Sequence, residues 1–210
     1  MLLLLQRWFP TLRGGPVKYE KDFVVYFSKA PAFSAGDARR FLVNAGASAA
    51  YARLFLHNQS KQKKIFRIGR GTYTLIEDEA VAGFAFRPFY YGMEYAMSLR
   101  GLWTQMANPV IITDSSAVPG SRLSDGRRIL VRRISKKMFF GYSFVSRSGL
   151  FIPVSEPEKI LIDFIYYRRG ISREDIARLL EASDMKKLEE YAKRSGRRVA
   201  AGLERILNRL

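Results

Sequence analysis

Apolar side chains recur at helical spacing in three stretches between residues 18 and 61, then alternate at strand spacing between 65 and 76. Tyr19, Phe23, Tyr26 and Phe27 build one stripe on a helix over about residues 18–29, which Pro31 ends. Ser34 is a good N-cap for a second helix, about 35–43, with Ala38, Phe41 and Leu42 inward. Asn44-Ala45-Gly46 turns the chain, and Ser48 caps a third helix, about 49–61. Its inward face is Ala52, Phe55, Leu56 and Gln59. Residues 65–68 and 73–76 are β-type runs joined by Gly69-Arg70-Gly71, where the glycines are expected to supply positive φ. Three short helices followed by a hairpin predict a winged helix-turn-helix over residues 18–78.

The pattern changes after the acidic break Glu77-Asp78-Glu79. Residues 91–102 read as a helix, and strands are expected over 110–113, 128–134, 141–145 and 150–154. The segment 114–126, rich in Ser, Asp, Gly and Pro, reads as a loop. Pro157 opens a helix that runs to about 167, Ser172 caps another over 173–181, and 184–210 is helical with a break near Ser195-Gly196. The expected fold class is α+β: a winged helix-turn-helix, then a mixed α+β domain over 79–210 that ends in helices. Residues 1–17 form an N-terminal extension. Leu2–Leu5 lacks a preceding basic region and is stopped by Gln6 and Arg7, so a packed arm and a cytoplasmic protein are expected.

Charge narrows the partner. The formal net charge is +17, far beyond what solubility needs, which favours a polyanion. Nucleic acid comes first, an anionic membrane surface second and an acidic protein third. No run of about 18 apolar residues exists, so no transmembrane helix is expected, and with nucleic acid ranked first no membrane partner is expected. With no cysteine and one histidine, disulfides, thiol catalysis and Cys- or His-based metal centres are excluded. No phosphate loop or hydrolase elbow is present, so the protein is expected to be no enzyme and to need no cofactor or metal.

The stretch 48–75 carries Arg53, His57, Lys61, Lys63, Lys64, Arg67 and Arg70 and holds no acid. Arg53, His57 and Lys61 fall at i, i+4 and i+8 on the outward face of the third helix, with Asn58 beside them. Arg53 has the fork to grip guanine O6/N7, and Asn58 the amide to do the same for adenine. Ser48 and the helix N-terminus suit a phosphate. Tyr51 could stack on a sugar or bond to a phosphate. Arg67 and Arg70 would reach phosphates or an adjacent minor groove from the wing. The plain alternative is a solvated basic helix.

The same run, with the segments Tyr90-Tyr91-Gly92-Met93-Glu94, Gly101-Leu102-Trp103, Phe139-Phe140-Gly141 and Val154-Ser155-Glu156-Pro157-Glu158-Lys159 through Asp163, resembles AbiEi-type antitoxins and their archaeal relatives over roughly residues 20–170. The resemblance implies a repressor of its own operon that binds double-stranded DNA at an inverted repeat near its promoter. It also implies a C-terminal domain tied to neutralising a nucleotidyltransferase-like toxin, or a free-standing regulator without one. Candidate partner contacts are Trp103, Phe139, Phe140, Glu158, Lys159 and Asp163. The sequence departs from the family at Gln59, where relatives tend to carry a core Leu. It departs again at Lys63, where a Gly often ends the helix, and at Gly92, which stands in place of a Ser.

Two further readings concern the second half. Glu156, Glu158, Lys159 and Asp163 invite a metal-nuclease reading, but an acid, one residue, then Lys is met by neither glutamate. The alternative is an acidic first turn with surface pairs Glu156–Lys159 and Lys159–Asp163. Arg127-Arg128, Arg132-Arg133 and Lys136-Lys137 form a second basic cluster, either an added footprint or a solvated edge strand.

Overall fold

A computed structural model of the protein describes residues 18–124 and 126–209. Its contacts divide the chain into two units, one ending at Val81 and the other beginning at Ala82. The division falls inside a 3-10 helix, Glu79–Phe86. The architecture is α+β, with helices leading the first unit and closing the second. The extension expected over residues 1–17 lies outside the described residues.

The first unit runs α1 (Glu20–Phe27), β1 (Phe33–Ser34), α2 (Ala35–Asn44), α3 (Ala49–Lys61), β2 (Phe66–Gly69) and β3 (Thr72–Thr74). The strands form one antiparallel sheet in the order β1-β3-β2. Caps set where two of the helices begin. Ser34 and Asp37 close a reciprocal capping box on α2, and the Ser48 hydroxyl accepts the Tyr51 amide on α3. The end of α3 is equally defined. Lys63 takes φ 56, its amide bonds to the Ser60 carbonyl, and the Lys64 amide bonds to that of Gln59. These are the two hydrogen bonds of a Schellman motif, with Lys63 at the position that favours glycine.

Phe23 is the hub of this unit. Its ring meets those of Phe27, Phe33, Phe41 and Phe55, with centroids 4.6 to 5.9 Å apart. Ala38, Leu42, Ala52, Leu56, Ile65 and Leu75 complete the core. The α1 stripe differs from expectation at one position. Tyr26 is exposed and Val24 is buried, because Tyr26 lies at the margin of the stripe and lays one side of its ring on Phe41. Gln59 is buried and donates to Glu20, which also pairs with Lys64. This is a polar tie between α1 and the end of α3.

The second unit contains a six-stranded mixed sheet in the order β6-β7-β5-β4-β9-β8. The strands are β4 (Phe89–Tyr91), β5 (Val110–Thr113), β6 (Gly120–Ser124), β7 (Arg127–Arg133), β8 (Tyr142–Arg147) and β9 (Leu150–Ser155). β4 pairs antiparallel with β5 and parallel with β9, so it lies inside the sheet. The expected 91–102 helix is shorter, α4 (Met93–Leu99), because Phe89–Tyr91 joins the sheet. Residues 120–124, read as loop, form an edge strand against β7. Their polarity hides a strand that pairs with β7 along its whole length. Gly92 has no room for a side chain, since a Cβ there would lie 2.3 Å from Ile112 Cδ1. A serine at this position would displace that isoleucine.

Helices α5 (Pro157–Tyr166), α6 (Arg173–Glu181), α7 (Met185–Ser195) and α8 (Arg197–Leu207) follow. α5 is central: every residue from Glu158 to Phe164 is buried, and it packs against α4, α6, α7, α8 and β9.

Candidate nucleic-acid interface

α3 turns two rows of side chains to solvent. Arg53, His57 and Lys61 make one; Leu54 and Asn58, also four residues apart, make the other. All five are exposed, while Ala52, Phe55, Leu56 and Gln59 are buried behind them. Leu54 was not among the residues singled out from the sequence, although its spacing to Asn58 is the signal that finds it. At 55% relative exposure it stands among polar neighbours.

At the head of α3, the Ser48 hydroxyl already caps the Tyr51 amide. Tyr51 departs from its expected role. Its ring sits edge-on to Tyr19 at 5.8 Å and tilts against Phe55, and its hydroxyl donates to the Lys18 carbonyl at 3.3 Å. It braces α3 against the segment before α1 rather than standing free for a sugar or phosphate.

The hairpin β2–β3 carries Arg67 and Arg70, both exposed. Phe66 and Ile68 are buried, so alternation points Arg67 outward, and its Nε donates to the Gly69 carbonyl at 3.2 Å. The register shifts between Arg67 and Gly69, a bulge that adds twist. Of the two glycines flanking Arg70, only Gly71 adopts positive φ (69°), whereas Gly69 pairs in the ladder with Thr72. Both were expected to need it. The bulge absorbs the extra residue, which relieves Gly69. The Gly71 carbonyl accepts the amide of Ala35, the first residue of α2, at 2.8 Å.

Acidic charge near α2 is accounted for. The Ser34 hydroxyl, then Arg40, hold the Asp37 carboxyl below its ordinary value, so it stays ionised and serves the α2 cap. Glu20 is engaged by Lys64 and Gln59. The stretch from Ser48 to Ile76 contributes no acid.

The candidates in the second unit stand differently. Lys159 and Asp163 are fully buried and ion-paired, and Glu158 is almost as deep. Lys159 Nζ donates to the Tyr90 hydroxyl at 3.0 Å, which donates to Asp163 at 3.1 Å. Tyr142 stacks on Tyr90 at 5.4 Å, and the Phe140 ring lies 5.2 Å from Lys159 Nζ. Burial pushes the Asp163 carboxyl up, the Lys159 ammonium down and the Tyr90 phenol well up. Glu158 accepts the Asp184 amide at 2.9 Å and lies 3.7 Å from Lys187.

Glu158, Lys159 and Asp163 therefore hold the unit together instead of facing a partner. The pairs expected at the surface are corrected likewise: Lys159–Asp163 is internal, and Glu156 pairs with Lys187 at 3.1 Å and accepts the Tyr191 hydroxyl. Phe140 is buried, and Phe139 and Trp103 are half-buried. A Cβ on Gly141 (φ 71°) would lie 2.7 Å from the Tyr191 ring and 3.0 Å from Lys159 Cβ. Tyr90, Phe140-Gly141 and Lys159–Asp163, remote in sequence, thus meet in one buried cluster.

The large exposed aromatics of this unit lie elsewhere. Phe144 (66%) and Phe151 (71%) share one face of the β8–β9 hairpin, since Phe151 pairs with Ser146, two residues from Phe144. Arg127, Arg128, Arg133, Lys136 and Lys137 are exposed, but β7 lies second from the margin, which removes the edge-strand alternative for this cluster. Arg132 is drawn over the Tyr167 ring at 4.9 Å. Among the described residues no three or more His, Cys, Asp or Glu gather into a metal-binding group, and no helix is long and apolar enough to cross a membrane.

Fold and site together define a two-unit α+β protein with a basic helix–hairpin face in its first unit. Its fold is similar to that of the RV2827C protein from Mycobacterium tuberculosis, with a TM-score of 0.50 and 14% sequence identity over 94% of this chain and 83% of that one. At that identity the likeness concerns the fold alone. No family model and no curated protein matches the sequence.

Proposed function

We propose that the first unit is a winged helix-turn-helix and that the protein is a sequence-specific, double-stranded-DNA-binding transcriptional regulator of the AbiEi antitoxin type, acting in the cytoplasm on its own operon. One observation carries this reading. A doubly capped helix exposes Arg53, His57, Asn58 and Lys61, and is followed by a hairpin exposing Arg67 and Arg70, with no acid between Ser48 and Ile76. α3 enters the major groove, and the hairpin lies over the backbone beside it. The test is a mobility shift with duplex from the region upstream of its own reading frame at low salt. A discrete complex whose affinity falls steeply with salt supports the reading, because each phosphate-bound cation releases counterions. No shift on any such fragment rejects it.

A second reading gives the second unit a protein partner, a nucleotidyltransferase-like toxin. The exposed pair Phe144 and Phe151 favours it, since large exposed aromatics anchor interfaces. Co-expression with the product of the adjacent gene tests this. Co-purification lost in Phe144→Glu supports it; absence of co-purification rejects it.

A further inference from the structure

We infer that Leu54 reads thymine, through the 5-methyl group in the major groove. The inference rests on the DNA-binding reading of α3 and adds what that reading lacks, an apolar contact among polar ones. Leu54 is the sixth residue of the helix, in the half that reaches base edges when a recognition helix enters the groove. Its neighbours on the same solvent face are Arg53 and Asn58, whose side chains match guanine and adenine. Neither offers the apolar contact that the thymine methyl, a feature found on no other base in that groove, takes. Leu54 can.

The spacing is consistent with adjacent reading. Leu54 and Asn58 are four residues apart, about 6 Å along the helix axis at 1.5 Å per residue. That is close to two base-pair steps of about 3.4 Å each. Leu54 would therefore meet a thymine within two steps of the base held by Asn58. The core does not need Leu54: α3 packs through Ala52, Phe55, Leu56 and Gln59.

The prediction is a methyl-dependent affinity that belongs to this one side chain. The full chain is titrated with the upstream duplex amplified with either dTTP or dUTP, which differ by the 5-methyl group alone. Native protein binds the uracil duplex about fourfold more weakly for each methyl read, the ratio that corresponds to one buried methyl at ~0.8 kcal/mol. Leu54→Ala binds both duplexes equally, at roughly the native affinity for uracil. Leu54→Met, which keeps an apolar side chain, retains the discrimination. Equal native binding to both duplexes overturns the role of Leu54 while leaving DNA binding intact. A methyl preference that survives in Leu54→Ala also overturns it and assigns the contact to another residue. Absence of any complex overturns the DNA-binding reading itself, and this inference with it.

Discussion

Lys159 and Asp163, one turn apart on α5, form an ion pair in which neither side chain reaches solvent. Removing one partner strands a charge in the core, which costs about 3–5 kcal/mol, whereas replacing both with apolar groups is often neutral. Asp163→Ala is therefore expected to lower urea stability by about that amount. Lys159→Met combined with Asp163→Leu should recover most of it. Equal losses in the single and double variants would show that the pair is not the unit that matters.

Gly141 and Gly149 both adopt positive φ, 71° and 78°, but only Gly141 lacks room. Gly149→Ala pays only the left-handed backbone penalty, about 1–2 kcal/mol. Gly141→Ala adds overpacking against Tyr191 and Lys159, which costs a further 1–3 kcal/mol or so. Thermal melts of the two variants side by side measure the difference. Similar melting temperatures would mean that Tyr191 moves aside freely.

Lys63 occupies the left-handed position of the α3 Schellman motif. Lys63→Gly is expected to stabilise the first unit by about 1 kcal/mol by removing the Cβ penalty. It also deletes an exposed cation at the helix-to-hairpin junction. If that lysine meets phosphate, the variant will melt higher yet show a salt slope shallower by about 0.9. A lower melting temperature would contradict the cap assignment.

Arg53 and Arg70 are expected to fail differently. Arg53→Ala should reduce discrimination at one base position by about 1–3 kcal/mol, while Arg70→Ala weakens all duplexes alike and lowers the salt slope by about 1. Competition binding with operator and unrelated duplex separates the two. An Arg70→Ala loss confined to one sequence would place the hairpin tip on a base edge.

Alkaline pH should loosen the second unit. Burial raises the phenols of Tyr90 and Tyr167, and burial followed by the Glu156 hydrogen bond raises that of Tyr191. A raised folded-state value means that the native chain keeps these protons after the unfolded chain has lost them. The stability they contribute is present below about pH 10, the unfolded tyrosine value, and is lost as pH rises beyond it. Lys159, depressed by burial, acts in the opposite sense, but only below its unfolded value of about 10.4. Denaturation midpoints between pH 9 and 11.5 should fall, and Tyr191→Phe should flatten part of the decline. A midpoint independent of pH over this range would remove the argument.

The first unit was legible because its signals are local. Ser34, Ser48 and the 3.6-residue spacing of Phe23, Phe27, Ala38, Leu42, Ala52 and Phe55 place the helices without knowledge of the rest. β6 was missed because Gly120–Ser124 is stabilised by a neighbour that the sequence does not announce. The acids and lysine of α5 were placed at the surface because a charged first turn usually lies there. Their burial depends on Tyr90 and Asp184, remote in sequence. Phe144 and Phe151 face outward while Phe140 faces inward, a choice set by register and not by composition.

The bond from the Ala35 amide to the Gly71 carbonyl makes the hairpin tip part of the scaffold. The turn that bears Arg70 is tethered by its backbone to the first turn of α2, so a surface that would otherwise search many orientations is offered in one. The entropy of ordering that turn is lost when the chain folds and need not be lost again when a partner arrives. Length changes in the turn should therefore be felt at α2 before they are felt at any ligand.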